Sequence, residues 1–374
     1  MAGRARLATL ALAAVTSAVV LTSLRAGDGA PLAPAGGVHL AGFLRHYGIP
    51  EASQVLVFSR TSLQRDRISE STPRAIYFND RASVGVVPGS SLIEVAEFDD
   101  TAGGVRFLTL DASRPDAPPR RERSCLRCHA LADGGGMQGL LMRSSGVHEG
   151  GNPHRCLLEV DDRTPYGRRW GGWYVTGQLV PSGHAGRPMP TRLDAAYATG
   201  GSDIVALLVL GHEVTAVNLI ARLAREARLA AWDQESGRTP DAVPLETAAS
   251  ALADYLLFSG EAPLPAAVVG DPAFIRAFES AGVRDSHGHS LRTFDLRRRL
   301  FKVPCSFMIH APAFRALPLE VRRLVYDRMS ALLRAGGGPH APRLSPDDRD
   351  AVVHVLRETL ADLPADFGTS PGRS

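Results

Sequence analysis

The sequence predicts an α+β fold: an N-terminal antiparallel β region, a loop-rich central segment with a paired-cysteine motif, and a mainly helical C-terminal half. Three observations predict it. Residues 50–112 hold short runs rich in β-branched and aromatic residues, separated by Asn79-Asp80, Pro88-Gly89 and Asp99-Asp100. Beyond residue 200, apolar residues recur at the three- to four-residue spacing of amphipathic helices. Between these lies Cys125-Leu126-Arg127-Cys128-His129, with Arg-rich sequence before it and Asp133-Gly-Gly-Gly136 after it.

Composition limits the function classes. A length of 374 residues allows two or three domains or one large one. A hydrophobic content of 44% with 22% charge fits a globular chain with a real core. The net charge of +3 is too small to argue for a nucleic-acid partner. Lys302 is the only lysine, so positive charge is almost all arginine, which reads as coding bias rather than a phosphate-binding device.

In chain order, Arg4 and Arg6 precede an uncharged, largely apolar run from Leu7 to Leu24, and Gly/Pro/Ala-rich sequence follows to Gly37. A charged start and an apolar run make residues 1–37 a signal peptide or N-terminal anchor plus linker. The run is just long enough to span a bilayer, and cleavage after Ala26 or Ala30 would use a weak site. The mature chain is therefore expected in the periplasm or on the outer face of the inner membrane, soluble or held by a single N-terminal membrane tether. No other stretch is expected to cross.

Residues 38–112 form the β-rich region. A short helix is expected over His39–Tyr47, then strands over 54–60, Arg74–Asn79, Ser83–Val87, Ser91–Phe98 and Val105–Asp111. Residues 113–200 carry the motif on a short helix, then loops. Residues 201–366 are expected to be helical: Asp203–Arg228 capped by Ser202 or Asp203, Pro244–Phe258, Asp271–Ser280, Leu319–Arg334, and Ser345–Leu363 opened by Ser345-Pro-Asp-Asp. Residues 367–374 read as a disordered tail.

The pattern C-x-x-C-H is the attachment sequence of a c-type haem. Cys125 and Cys128 would form thioethers to the porphyrin, and His129 would coordinate the iron from the proximal side. A zinc ribbon needs a second ligand pair, whereas Cys156 and Cys305 are solitary and far apart. A redox dithiol belongs near a βαβ pattern, which the flanks lack. One covalent haem c is the expectation, in a central c-type haem segment. Arg127 should face solvent, or pair a haem propionate. Cys156 and Cys305 could pair in an oxidising compartment or remain buried thiols.

Several stretches together resemble a group of exported bacterial c-type cytochrome domain proteins. They are Phe58–Ser69, Thr72–Asn79, Cys125–Ala130, Arg169–Gly177, Leu291–Leu296 and Pro304-Cys-Ser306. The resemblance covers most of residues 50–335 and implies one integrated unit with a covalent haem. It lends a cofactor and a location, but no substrate. Members of the group tend to carry histidines just before and after the Trp-Gly-Gly-Trp stretch. Here those positions read Asp162 and Leu179, while His184 remains.

What the iron does depends on its sixth position. His184, in a Gly/Pro-rich loop, is the first choice as the second metal ligand beside His129. Met137, Met142, His148 and His154 lie within sequence reach, and Met189 is weaker. His212 reads as a buried structural histidine, and His287 and His289 as a solvated loop. In Arg169–Gly177, two tryptophans around a Gly pair read either as aromatic walls around something flat or as a core strand with a tight turn. The leading expectation is an electron carrier serving a redox partner protein. The alternative is a periplasmic haem enzyme, a peroxidase or small-molecule oxidoreductase, with an open distal site beside Trp170, Trp173, Tyr174 and His184. Length favours the alternative, since a carrier needs only roughly 100 residues. A haem-based sensor ranks last, because no signalling module is appended.

Overall fold

The computed structural model describes residues 37–100, 103–114, 117–131, 137–145, 157–179, 183–191, 193, 197–336 and 344–369. The expected signal or anchor segment and its linker, as well as His148, His154 and Cys156, therefore fall outside the described residues. All the described residues belong to one unit, Ala33–Ser374.

The first helix, α1, is Gly37–Tyr47. Six strands follow: β1 (Val55–Val57), β2 (Arg74–Phe78), β3 (Ala82–Val86), β4 (Leu92–Asp99), β5 (Gly104–Asp111) and β6 (Arg120–Arg121). They pair in sequence order as one antiparallel meander. Five match the strands expected from alternation. The sixth is two arginines, with no apolar signal to find.

Alternation along these strands gives the sheet two different apolar faces. Ala75, Tyr77, Val84, Ile93 and Val95 point to one side, where Leu40, Phe43 and Leu44 of α1 cover them. Phe78, Val105 and Phe107 point to the other and join the main core. That core is centred on α3 (Ile204–Glu235), whose buried side runs from Ile204 to Ala224. Asp203 caps α3 as expected, accepting from the Ala206 N–H at 3.0 Å, and it also accepts from the Asp271 N–H at 2.7 Å. That second bond ties the start of α3 to the cap of the later helix α5 (Pro272–Ser280).

The central segment adds α2 (Leu126–His129) and eight short strands: β7 (Ala130–Leu131), β8 (Met137–Gln138), β9 (Arg143–Ser145), β10 (Leu157–Glu159), β11 (Tyr174–Val175), β12 (Gln178–Leu179), β13 (Arg187–Pro188) and, from the helical half, β14 (Val268–Val269). The helices after α3 are α4 (Ala242–Leu256), α5 (Pro272–Ser280), α6 (Pro312–Arg315), α7 (Leu319–Ala335) and α8 (Pro346–Thr359). Ser345 caps α8 by accepting from the Asp348 N–H at 3.1 Å.

Two expectations are corrected. By length and composition α3 is apolar enough to cross a membrane, although no such stretch was expected outside the N-terminus; 78% of its apolar window is buried in this protein. The tail does not begin at residue 367, because Phe367 is 1% exposed and the Gly368 N–H donates to Ser330 Oγ at 2.8 Å. Cys305 is a free, buried thiol, one of the two alternatives that the sequence left open.

Candidate functional site

The Cys125–His129 turn sits on the main-core face of the sheet. Helix α2 is only four residues long and none of them is buried. The Cys128 and His129 N–H groups both donate to the Cys125 carbonyl, at 3.1 and 3.0 Å, so the two thiols project from one turn. Cys125 is half-buried against the core, whereas Cys128 is exposed.

His129 is held from two sides. Its ring packs on Phe107 of β5, centroids 4.6 Å apart. Its Nδ1 meets the Gly139 carbonyl at 2.9 Å. That contact fixes the tautomer with the proton on Nδ1 and leaves the lone pair of Nε2 for an external ligand. Burial holds the imidazole below its ordinary pKa, with the Gly139 contact opposing.

The Gly139 carbonyl is positioned in turn by α3. Asn218 clamps the next residue, accepting from the Leu140 N–H at 2.8 Å and donating to the Leu140 carbonyl at 2.9 Å. A Cβ at Gly139 would collide with Leu131 and Asn218, so only glycine allows this approach. A chain of contacts therefore runs from α3 through Asn218, Leu140 and Gly139 to His129.

The sheet beneath the turn is charged. Arg74 of β2 pairs with Glu94 of β4 at 2.7 Å, and Gly85 of β3 leaves room for the guanidinium. Burial first, and then Glu94 and Glu122, push the Cys125 thiol up to about 11. A redox dithiol needs the opposite, a stabilised thiolate. Among the described residues, no third metal-ligating side chain converges on Cys125 and Cys128. The turn is therefore ill-suited to a dithiol or a closed zinc site. A half-buried and an exposed thiol beside a histidine with a free Nε2 suit covalent haem attachment, with Cys125 and Cys128 as anchors and His129 as ligand.

The other predicted residues lie elsewhere. Trp170, Trp173 and Tyr174 are 1%, 5% and 3% exposed. Trp173 Nε1 donates to the Arg143 carbonyl at 2.7 Å, and Tyr174 OH to the Glu70 carbonyl at 2.7 Å. The flat partner expected for the Gly pair is the chain itself. A Cβ at Gly171 would strike the Ser145 carbonyl, and one at Gly172 would strike Ser145 and Ser59. Trp170 takes the turn at φ 67°, a conformation costly for a bulky residue and held by the packing around it. The aromatic walls of an open distal site are thus a core turn.

His184 packs edge-on against Trp170, centroids 5.3 Å apart. Its loop bonds to the Trp stretch, which itself pairs with β1, whereas His129 rests on β5. Among the described residues, the ring contact of His184 is with Trp170 and that of His129 is with Phe107. Met142 is a core residue, 4% exposed. Met137 of β8 pairs beside Leu131, close after the turn, and Met189 packs under the other sheet face. His212 is structural, as expected. Its ring nitrogens meet Ser306 Oγ at 2.6 Å and Tyr255 OH at 3.1 Å, and burial pushes it down to about 3. Arg127 is exposed.

Sequence reasoning missed two features. The Asn218–Gly139 support leaves no local pattern. The second is a small pocket lined by Met142, Asp162, Arg169, Trp170, His212 and Glu261. Asp162, which stands where a histidine was expected by resemblance, buries both carboxylate oxygens there without a hydrogen-bond partner. Burial, reinforced by Asp161, pushes Asp162 up to about 6. Burial, reinforced by Asp162, pushes Glu261 up to about 8. No family model matches this chain, and neither the curated proteins nor the solved structures contain a match to it.

Proposed function

We propose that this protein is an exported monohaem c-type cytochrome that carries electrons to or from a redox partner protein. The observation that carries the reading is the 2.9 Å contact of His129 Nδ1 with the Gly139 carbonyl, on the same turn that presents both cysteines. A haem bound there would supply a one-electron iron couple. Cys125 and Cys128 hold it, His129 presents Nε2 to it, and Gly139, anchored through Asn218, keeps that nitrogen aimed. Phe107 shields one side of the imidazole and limits its rotation.

The packed state of Trp170, Trp173 and Tyr174 favours the carrier over an enzyme with an open site beside them. Export, and a periplasmic or membrane-facing location, belong to the same proposal. They rest on the sequence of residues 1–37 and on the attachment chemistry.

The test is the absorption spectrum of the protein matured in a host with haem-attachment machinery, oxidised and reduced, with and without carbon monoxide. A low-spin spectrum indifferent to carbon monoxide is expected. A high-spin haem that binds carbon monoxide readily would replace the carrier with the enzyme reading.

A further inference from the structure

The loop after α5 and the C-terminal helix α8 bring together five side chains that the haem reading does not use. The loop contributes Asp285, His287 and His289. Helix α8 contributes His354 and Glu358, four residues apart and therefore on one face.

His354 Nε2 lies 2.9 Å from His287 Nδ1, 3.2 Å from Glu358 Oε1 and 3.5 Å from Asp285 Oδ2. An imidazole nitrogen carries at most one proton. Whichever ring of the His287–His354 pair holds the proton, it answers one of the three contacts. A cation among these atoms answers them all.

Zinc takes histidine nitrogen and carboxylate oxygen at about 2.0–2.2 Å, which at tetrahedral angles sets ligand atoms roughly 3.3 Å apart. The distances around His354 bracket that value. The ligand atoms of His287, His354 and Glu358 all lie within 4.8 Å of one another, as do those of Asp285, His287 and His289.

The surroundings are built as an outer shell. Ser286 donates to Glu358 twice, from its N–H at 2.6 Å and its hydroxyl at 3.0 Å. The Asp285 side chain is fully buried and accepts from the His287 and His289 N–H groups at 3.0 and 2.7 Å. Its other oxygen meets His289 Nδ1 at 2.9 Å. Gly288, at φ 83°, closes the loop. His287 and Glu358 are exposed, so an ion can enter from solvent.

We infer that His287, His354 and Glu358 bind one divalent transition-metal ion of the zinc class, with Asp285 and Ser286 as positioning residues. The two-imidazole, one-carboxylate set suits zinc and its neighbours rather than calcium or magnesium. The ion staples α8 to a loop 67 residues away in sequence. Its effect is on the hold of the C-terminal helix.

The test is titration of the untagged, chelator-stripped full chain with zinc ion alone, read by bound zinc per chain and by Tm. One zinc per chain and a raised Tm are expected. Both are lost in His354→Ala. Glu358→Gln, which keeps the side-chain shape, weakens binding by more than the roughly 10–100-fold that loss of an outer-shell partner costs. Cys128→Ser retains the zinc, which separates this site from the Cys125–Cys128 turn. Equal zinc on the wild type and both α8 variants, or none retained by the wild type, would overturn the proposal.

Discussion

The Cys125–His129 turn and the Trp170–Tyr174 stretch are equally conspicuous in the sequence, yet they differ in kind. The first keeps a nitrogen and two thiols uncommitted while its backbone is held by neighbours. In the second, the side chains are 1–5% exposed, Trp173 Nε1 and Tyr174 OH both have backbone partners, and the glycines abut another segment. A binding site is marked by what is left unsatisfied on a rigid support, while a core turn has spent everything on itself.

That contrast sets the expected effects of breaking each region. Replacing both thiols, Cys125→Ser with Cys128→Ser, should abolish covalent haem while the chain still folds, since neither residue is buried; haem absorbance per chain measures it. Trp170→Ala should do the reverse. It should cost about 3–5 kcal/mol in denaturant unfolding and leave haem per folded chain unchanged.

The support of the turn can be broken separately. Asn218→Ala removes both partners of Leu140 and should cost about 1–3 kcal/mol, and it should also shift the haem reduction potential because the Gly139 carbonyl is freed to move. His184→Ala, whose ring touches Trp170 and not the turn, should leave that potential alone.

The pocket beside Trp170 predicts a pH dependence. Asp162 and Glu261 are raised in the folded chain, to about 6 and about 8. A carboxyl raised on folding stabilises fully below its unfolded pKa, and that stability is lost as pH rises through the folded value. Unfolding free energy should therefore fall between about pH 4 and pH 8. Glu261→Gln should flatten the upper part of that fall, seen in urea titrations across the range.

The fold was largely legible because the β region alternates cleanly and the helices announce their ends. Asp203 and Ser345 both cap where the sequence placed them. The Cys125–His129 turn was legible because its pattern occupies five consecutive residues. Its support was not, since Asn218 stands 78 residues from Leu140 and a helix interior gives no sign of a side chain turned outward to clamp a loop. The Trp stretch misled in one of its two readings because close approach to a ligand and close approach to Ser145 demand the same glycines. His287 and His289 are exposed, as the sequence led one to expect, but the contact of His287 with His354 was not legible because the two lie 67 residues apart.

The most direct test of the central claim is the mass of the intact, denatured chain after expression alongside a control c-type cytochrome. The account predicts a chain one haem heavier than its polypeptide, with Cys125 and Cys128 both blocked to alkylation. A chain of bare polypeptide mass with both thiols free, from cells that matured the control, would contradict it.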